Sequence, residues 1–174
     1  MEEKFGRSRP SWDEYFMLSA AVIGTRSSCS KFNSGAVVVK NKRIVSSGYN
    51  GNPPGVPSSW DVGFCRKEKA GVEWGQKGSG HCLATHAEAN AIIQNHQQDL
   101  TGATIYCLHF PCNECAKLII SCGIKEVVYL KMYKDQVPRA EEMFNQAGVK
   151  IRKLEIDSDL LLNTVKGIFN QTRE

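Results

Sequence analysis

The sequence lacks a long apolar segment, since no run of hydrophobic residues approaches the roughly 20 that a transmembrane helix needs. The opening stretch Met-Glu-Glu-Lys-Phe-Gly-Arg also lacks the apolar centre of a secretory signal. These absences argue against membrane insertion and against secretion. We therefore expect a cytoplasmic protein with no membrane partner.

The sequence also lacks a strong excess of one charge. Its 22 Lys and Arg residues outnumber its 18 Asp and Glu residues by only four, and the basic residues are scattered. A nucleic-acid partner usually requires a continuous basic face, so this distribution favours small anionic ligands and predicts no nucleic-acid partner. The chain has no internal repeat or linker, and its 174 residues suit one domain spanning residues 1–174.

The sequence also lacks the even number of cysteines that a complete set of disulfides would need. The seven cysteines of the chain are an odd number, at positions 29, 65, 82, 107, 112, 115 and 122. A cytoplasmic chain keeps its thiols reduced, so a disulfide framework explains them poorly. Thiolate metal ligands together with a few buried thiols explain them better.

Local patterns predict alternating helices and strands. Ser11 and Glu14 form a capping box for a helix that runs to about Val22, and residues 35–40 and 43–48 read as a β-hairpin. Residues 49–84 lose periodicity, and a loop this long is usually functional or held by a ligand. The remaining predictions are helices over 85–97, 112–122, 138–147 and 157–169, and strands over 103–108, 126–131 and 149–153. Such alternation indicates a mixed sheet between helices.

Two cysteines, Cys112 and Cys115, open one of the predicted helices in the run Pro-Cys-Asn-Glu-Cys. Residues three apart lie on the same side of a helix, so both sulfurs can bind one metal ion. The start of a helix also favours the thiolate form of cysteine. Taken alone, the motif is equally compatible with a redox centre, half of a structural zinc site or coincidence.

His86 opens the preceding predicted helix, with a strand between the two helices. Adjacent parallel crossovers would bring both helix starts to the same end of the sheet. One nitrogen and two sulfurs leave the fourth position of a tetrahedral zinc ion for water, whose pKa zinc lowers to about 7. Glu88 lies two residues past His86, within reach of that water for acid-base work.

This combination, H-x-E followed by P-C-x-x-C, is the signature of the zinc deaminases. The alternative is a closed zinc site, in which a fourth residue replaces water and Glu88 is a surface carboxylate.

Further motifs resemble those of the deoxycytidylate (dCMP) deaminase family. They are His86-Ala-Glu-Ala-Asn-Ala-Ile, Phe110-Pro-Cys-Asn-Glu-Cys-Ala-Lys, Gly48-Tyr-Asn-Gly-Asn-Pro-Pro-Gly and Arg26-Ser-Ser-Cys. The likeness covers most of residues 11–153 and is closest to bacterial late-competence-type members, which share Ser-Trp-x-x-Tyr-Phe-Met and His-Phe-Pro-Cys. It implies a three-layer α-β-α fold of the cytidine-deaminase type, with a mixed central sheet of about five strands.

The resemblance assigns His86, Cys112 and Cys115 to a catalytic zinc and Glu88 to proton transfer. It implies substrate contacts at Asn50, Arg26, Tyr133 and Ala87, and effector contacts at Gly48, Tyr49 and Gly51. On the residues alone, Asn50 could instead belong to an ordinary Asn-Gly turn, and Arg26 could be a solvated charge at a helix end.

The activity that the resemblance implies is hydrolysis of dCMP to dUMP and ammonia, which feeds dTMP synthesis. Water attacks C4 of cytosine while Glu88 protonates N3 and then the amine. Members of the family are activated by dCTP and inhibited by dTTP, usually with Mg²⁺, and are commonly hexameric. We expect nucleotide ligands and a homo-oligomer accordingly.

The resemblance also implies a second, structural zinc. Two-zinc members of the family use such an ion to hold the long loop, here called the insertion, that corresponds to residues 49–84. The ligands of this zinc here would be Cys29, Cys65, His81 and Cys82. The alternative is that Cys29 and Cys82 are small buried hydrophobic residues and His81 an ordinary loop residue. The remaining cysteines and histidines, Cys107, Cys122, His96 and His109, are interpreted as structural.

Two other functions remain open. One is deamination of another base, such as guanine, a riboflavin precursor or a tRNA adenosine, although a tRNA enzyme should show a clearer basic surface. The other is a noncatalytic zinc module that binds nucleotides or proteins, for which Glu88 would be dispensable.

Overall fold

The computed structural model describes residues 9–73, 80–95, 98–132 and 138–170. Its elements in chain order are α1 (Trp12–Gly24), β1 (Gly35–Lys40), β2 (Arg43–Tyr49), α2 (Ser59–Val62), α3 (Arg66–Lys69), α4 (Ala87–Ile93), β3 (Thr104–His109), α5 (Asn113–Ser121), β4 (Glu126–Lys131), α6 (Pro138–Gln146), β5 (Lys150–Lys153) and α7 (Ser158–Phe169). Within these ranges no helix is both long and apolar enough to cross a membrane.

The five strands form one mixed sheet in the order β2-β1-β3-β4-β5. Strand β1 is antiparallel to both of its neighbours, whereas β3, β4 and β5 are mutually parallel. Strands β2 and β3 therefore run in the same direction, with β1 inserted between them. The crossover through α4 is parallel, as predicted, but it joins strands that are not adjacent.

Helices cover both faces of the sheet, which confirms the predicted three-layer fold. On one face, side chains of α4, α5 and α6 pack with alternate strand residues such as Val38, Ile105 and Val127. On the other face, α1 contributes Phe16, Met17 and Ala20, which pack against the intervening residues such as Val37 and Val128. Successive strand residues point to opposite faces, so strands buried on both sides read as continuous apolar runs.

The ends of the first elements follow the predicted chemistry. Ser11 Oγ accepts a hydrogen bond from the amide of Glu14, and the Glu14 carboxylate accepts one from the amide of Ser11, so α1 begins with the predicted capping box. The hairpin between β1 and β2 turns at Asn41 and Lys42, whose φ angles are 51° and 58°. Positive φ at both central residues is typical of a type I′ turn.

Two predictions of element boundaries were wrong. The segment predicted to be entirely irregular, residues 49–84, contains α2, which begins with a capping box between Ser58 and Asp61, and α3. Helix α4 ends at Ile93 and not at residue 97. Near this end, the Asn95 side chain donates to the carbonyl oxygen of Gln98 at 2.5 Å, a local bond that competes with the helical pattern.

Candidate active site

Three predicted metal ligands meet where α4 and α5 begin. His86 Nδ1 lies 3.4 Å from Cys112 Sγ and 3.6 Å from Cys115 Sγ. Within the described ranges, these are the one group of three or more His, Cys, Asp or Glu side chains whose ligand atoms all lie within 4.8 Å of one another. One imidazole nitrogen and two sulfurs fit zinc and leave one tetrahedral position open.

Both helices begin at a residue of this group. His86 is the N-cap of α4 and Cys112 is the N-cap of α5, and neither side chain makes a capping hydrogen bond. Ser, Thr, Asp and Asn are the residues that usually satisfy the free amides of a first turn. The chain therefore uses two capping positions to direct donor atoms toward a common point.

The thiols of Cys112 and Cys115 are hydrogen-bonded to each other, which moves their pKa values in opposite directions. The hydrogen bond from Cys115, with a second from His86, holds the pKa of the Cys112 thiol far below its usual value. The same bond to Cys112, together with burial, raises the pKa of Cys115. Such a pair titrates as a unit, and a divalent cation held by the two cysteines would release protons from the pair.

Glu88 is a buried carboxyl beside this group. It lies in the first turn of α4 and is only 6% exposed. Burial raises its pKa to about 7, while His86 and a hydrogen bond with Cys115 act in the opposite direction. A carboxyl that titrates near neutral pH can both accept and return a proton.

The Gly48-Tyr-Asn-Gly51 segment packs against the start of α4. A Cβ atom at Gly48 would overlap the backbone of Ala87, Asn90 and Ala91. Gly51 and Thr85 exchange two backbone hydrogen bonds of 3.0 and 2.9 Å, and Thr85 directly precedes His86. The glycines thus allow close approach to the helix that holds His86 and Glu88.

Asn50 is buried in this segment and holds the turn before β1. Its Oδ1 accepts from the amide of Ser34 at 2.7 Å, and its Nδ2 donates to the carbonyl oxygen of Phe32 at 2.8 Å. An amide has two donor hydrogens and two acceptor lone pairs, so one of each remains for another partner.

The sequence model of the cytidine and deoxycytidylate deaminase zinc-binding region matches residues 10–131, which include all four residues of this site. The chain belongs to this family. It is a zinc-binding deaminase.

Two relatives of the deaminase support this assignment. ComE operon protein 2 of Bacillus subtilis is 39% identical over 152 residues, which cover 86% of this chain and 74% of the relative. A deoxycytidylate deaminase of Mycobacterium phage D29 is 42% identical over 128 residues, covering 71% and 98% of the two chains. The predicted likeness to late-competence-type members of the dCMP deaminase family is thereby confirmed.

A solved structure supports the fold of the deaminase. The dCMP deaminase of cyanophage S-TIM5, crystallised with dCMP and dUMP, aligns with a TM-score of 0.67 at 29% identity. The alignment covers 85% of this chain and all of the cyanophage chain. The cytidine-deaminase-like fold that the resemblance implied is confirmed.

The other predicted substrate residues of the deaminase occupy different settings. Ala87 is buried as the first residue of α4, between His86 and Glu88. Arg26 is exposed just after α1, and its amide donates to the carbonyl oxygen of Ile23. Tyr133 lies outside the described residues, as does His96.

Four further predicted metal ligands of the deaminase line one cavity of about 40 Å³. They are Cys29, Cys65, His81 and Cys82. The ammonium of Lys31 lies near this group, since its charge interacts with Cys29 and Cys65, and it pairs with Glu68 at 2.9 Å. The structure thus brings the four residues to one place, without the close packing of donor atoms seen around His86.

Three residues at or next to the turn that Asn50 holds were not predicted to belong to the site. They are Phe32 and Ser34, which bond to Asn50, and His109, which was interpreted as structural. His109 Nδ1 lies 3.4 Å from Ser34 Oγ, and the His109 ring packs 4.5 Å from the Phe32 ring. The available signal was the position of His109, two residues after Cys107 on one strand and three before Cys112.

Proposed function

We propose that this deaminase hydrolyses dCMP to dUMP and ammonia. The observation that carries the proposal is the alignment, over most of both chains, with a cyanophage dCMP deaminase that was crystallised with dCMP and dUMP. The group of His86, Cys112 and Cys115 beside the buried Glu88 supports the chemistry. The product, dUMP, would feed dTMP synthesis.

Zinc, when bound by His86, Cys112 and Cys115, supplies a Lewis acid that makes a water molecule nucleophilic near neutral pH. Glu88 takes a proton from the attacking water and delivers it to N3 of cytosine, and later carries a proton to the amine that leaves C4. Its pKa of about 7, raised by burial, suits both directions of transfer. The Glu88 carboxyl is positioned for this task by its buried place in the first turn of α4, two residues after His86.

Substrate recognition is proposed for Asn50, Arg26, Tyr133 and Ala87. Asn50 supports the assignment because its amide retains one donor and one acceptor after bonding Ser34 and Phe32. Arg26 carries a planar guanidinium suited to a 5′-phosphate, and it is exposed.

Regulation by dCTP and dTTP, with Mg²⁺ bound alongside the nucleotide, is proposed for the segment of Gly48, Tyr49 and Gly51. Support comes from the packing of this segment on α4, since a ligand that displaces it would also displace His86. We further propose a homo-oligomer, a hexamer by family resemblance, and a cytoplasmic location, where thiolate ligands stay reduced.

A structural zinc bound by Cys29, Cys65, His81 and Cys82 is also proposed. All four side chains line one cavity next to α2 and α3, to which the long loop contributes Cys65, His81 and Cys82 and the segment after α1 contributes Cys29. A closed tetrahedral site of three sulfurs and one nitrogen is a common structural zinc site.

An ultraviolet assay of deamination tests the substrate directly. dCMP, CMP, dCTP, deoxycytidine, cytosine and guanine are compared, each with and without dCTP and dTTP as effectors. We expect turnover of dCMP above all. Turnover of guanine alone, or of no cytosine compound, would contradict the proposal.

The role of Glu88 is tested with Glu88→Gln, which keeps the size and removes the proton carrier. We expect kcat to fall by at least about 10²-fold. Metal analysis should show the same zinc content as in the unsubstituted enzyme. A noncatalytic zinc module predicts instead that nucleotide binding is all that the protein does and that Glu88→Gln alters nothing measurable.

A further inference from the structure

His109 lies on the same side of the sheet as the catalytic carboxyl. It is the last residue of β3, two residues after Cys107, so both side chains point to the same face, at positions about 7 Å apart along the strand. Cys107 packs in the same core cluster as Ala87 and Ala91 of α4, the helix that carries Glu88, and the charge of Glu88 adds to burial in raising the pKa of the Cys107 thiol. His109 therefore lies on the same face as Cys107 but at the C-terminal end of β3, three residues before Cys112.

Two side chains from the turn before β1 contact the His109 ring. Ser34 Oγ lies 3.4 Å from Nδ1, and the Phe32 ring packs against the imidazole at a centroid distance of 4.5 Å and an angle of 47°. The same turn is held on its backbone by the Asn50 side chain. Asn50 N in turn donates to the carbonyl oxygen of Ser34 at 3.2 Å. The turn is thus clamped between His109 and Asn50.

The His109 ring is a neutral hydrogen-bonding group at physiological pH. Burial, and to a lesser extent the charge of Lys131 on the paired strand, lower its pKa to about 4. A neutral imidazole keeps one nitrogen as an acceptor, which can accept a hydrogen bond from the hydroxyl of Ser34.

We propose that His109 is a positioning residue of the nucleotide site, which fixes Asn50 for substrate binding by holding Ser34 and Phe32 in place. The proposal rests on the function proposed above, in which Asn50 contacts the nucleotide. Loss of the His109 contact releases one side of the turn, and Asn50 then loses its fixed orientation. The residues proposed to carry out the chemistry, which are Glu88 and the three zinc ligands, are not displaced directly. Nucleotide binding should therefore be weakened more than the chemical step.

The test uses the full-length zinc-loaded enzyme with His109→Phe, His109→Asn and Ser34→Ala. Phe keeps a ring against Phe32 and removes the nitrogen, whereas Asn returns an acceptor close to the position of Nδ1. We expect KM for dCMP and the Kd of dUMP to rise about two- to tenfold in His109→Phe and Ser34→Ala, the effect of losing one neutral hydrogen bond, with kcat little changed. His109→Asn should restore most of the binding.

Two further variants separate positioning from general loss of stability. In Ser34→Ala/His109→Phe the losses should not add, because both remove the same contact. The control is Tyr106→Phe, on the opposite face of β3, which removes a 2.7 Å hydrogen bond to Asp13. It should lower Tm and leave KM and the Kd of dUMP unchanged.

The outcomes distinguish the two proposals. An unsubstituted enzyme without activity on dCMP would overturn the proposed function and this inference with it. An active enzyme whose KM and dUMP affinity are unchanged in both His109→Phe and Ser34→Ala overturns only the role of His109. A rise in KM in Tyr106→Phe as large as in His109→Phe would also overturn it, since stability alone would then explain the effect. Because Ser34→Ala removes one hydroxyl group, it keeps the test decisive if His109→Phe folds poorly.

Discussion

At the scale of single residues, the site depends on positions where only one side chain fits. Gly48 shows this for packing: its hydrogen lies against the backbone of α4, where a methyl group has no space. Glu88 is a second such position: burial in the first turn of α4 raises the pKa of this carboxyl to about 7, so its protonation depends on where the side chain lies. The first constraint supports the second, since Gly48 holds the helix that carries Glu88.

Gly48→Ala should therefore destabilise the enzyme and weaken its metal site. The added Cβ overlaps the backbone of Ala87, Asn90 and Ala91, which cannot rotate away, so we expect a loss of about 1–3 kcal/mol or more in unfolding free energy. Chemical denaturation and zinc analysis measure both effects. Gly167→Ala is the matched control, because a Cβ added at that helical glycine meets nothing within 4 Å outside its own stretch of helix and alanine favours a helix by roughly 0.5–1 kcal/mol. Equal behaviour of the two variants would contradict the packing argument.

At the scale of elements, the two site helices begin less favourably than α1. The first turn of α1 is satisfied by Ser11 and Glu14, whereas His86 and Cys112 provide no side-chain cap. Capping and metal binding compete for the same positions, and the chain has residues for metal binding at both.

Cys112→Ser should separate these two demands. Serine is a good N-cap, so the metal-free variant should be more stable than the metal-free parent by about 0.5–1 kcal/mol, while zinc binding and deamination are lost. Thermal unfolding in the presence of a chelator measures the difference. Ser11→Ala, which removes an existing capping box, should shift stability in the opposite direction. A metal-free Cys112→Ser protein that is less stable than its parent would show that capping does not limit α5.

Helix α1 is held on the sheet by an ion pair with β5. Arg152 donates to both oxygens of Asp13, at 2.7 and 3.1 Å, and Tyr106 adds a third hydrogen bond. The hydrogen bonds from Arg152 hold the pKa of Asp13 below its usual 3.8. A lowered carboxyl pKa contributes stability above the unfolded value, and that contribution disappears as pH falls through the folded value.

Asp13→Asn should thus lower stability at pH 7 by about 1 kcal/mol, a modest effect because both side chains are about one third exposed. The difference between variant and parent should narrow as pH falls below about 4. Denaturation at several pH values measures it. Glu155→Gln, at an exposed pair with Lys153, should change little at any pH. A difference that is constant down to pH 3 would contradict the role of the Asp13 charge.

At the scale of the whole molecule, metal ions are proposed to connect segments that the sheet does not pair. The group of His86, Cys112 and Cys115 joins two crossover helices, and the cavity of Cys29, Cys65, His81 and Cys82 joins the end of α1 to the insertion. Each ligand set brings together residues from separate parts of the sequence. Removal of metal should therefore loosen the molecule beyond the active site.

Metal analysis of the purified enzyme should find two zinc ions per chain. The double variant Cys65→Ser/Cys82→Ser should retain one zinc ion, held by His86, Cys112 and Cys115, whose donor atoms lie closest together. Its Tm should fall because the ion proposed to hold the insertion is lost. Cys122→Ser, at the end of α5, should leave the count at two. A single zinc in the unsubstituted enzyme would remove the basis for the second site.

Much of this molecule was predictable because its signals are local. The capping box at Ser11, the apolar runs of the strands and the hairpin turn at Asn41 depend on neighbouring residues, and the structure confirms them. The grouping of His86, Cys112 and Cys115 was also predictable, since residue type and spacing define a possible donor set and His86 and Cys112 each open a helix. The short helices α2 and α3 were missed because four-residue helices show no periodicity.

The sequence by itself determined the chemistry of the site, through the donor atoms and the carboxyl of Glu88, together with most elements of the fold. Tertiary structure decided what those residues touch. It inserted β1 between β2 and β3, buried Glu88 so that its pKa is raised to about 7, and placed Ser34 between Asn50 and His109. Donor type belongs to a residue and can be read from its letter, whereas burial and hydrogen-bond partners belong to distant segments that meet only on folding.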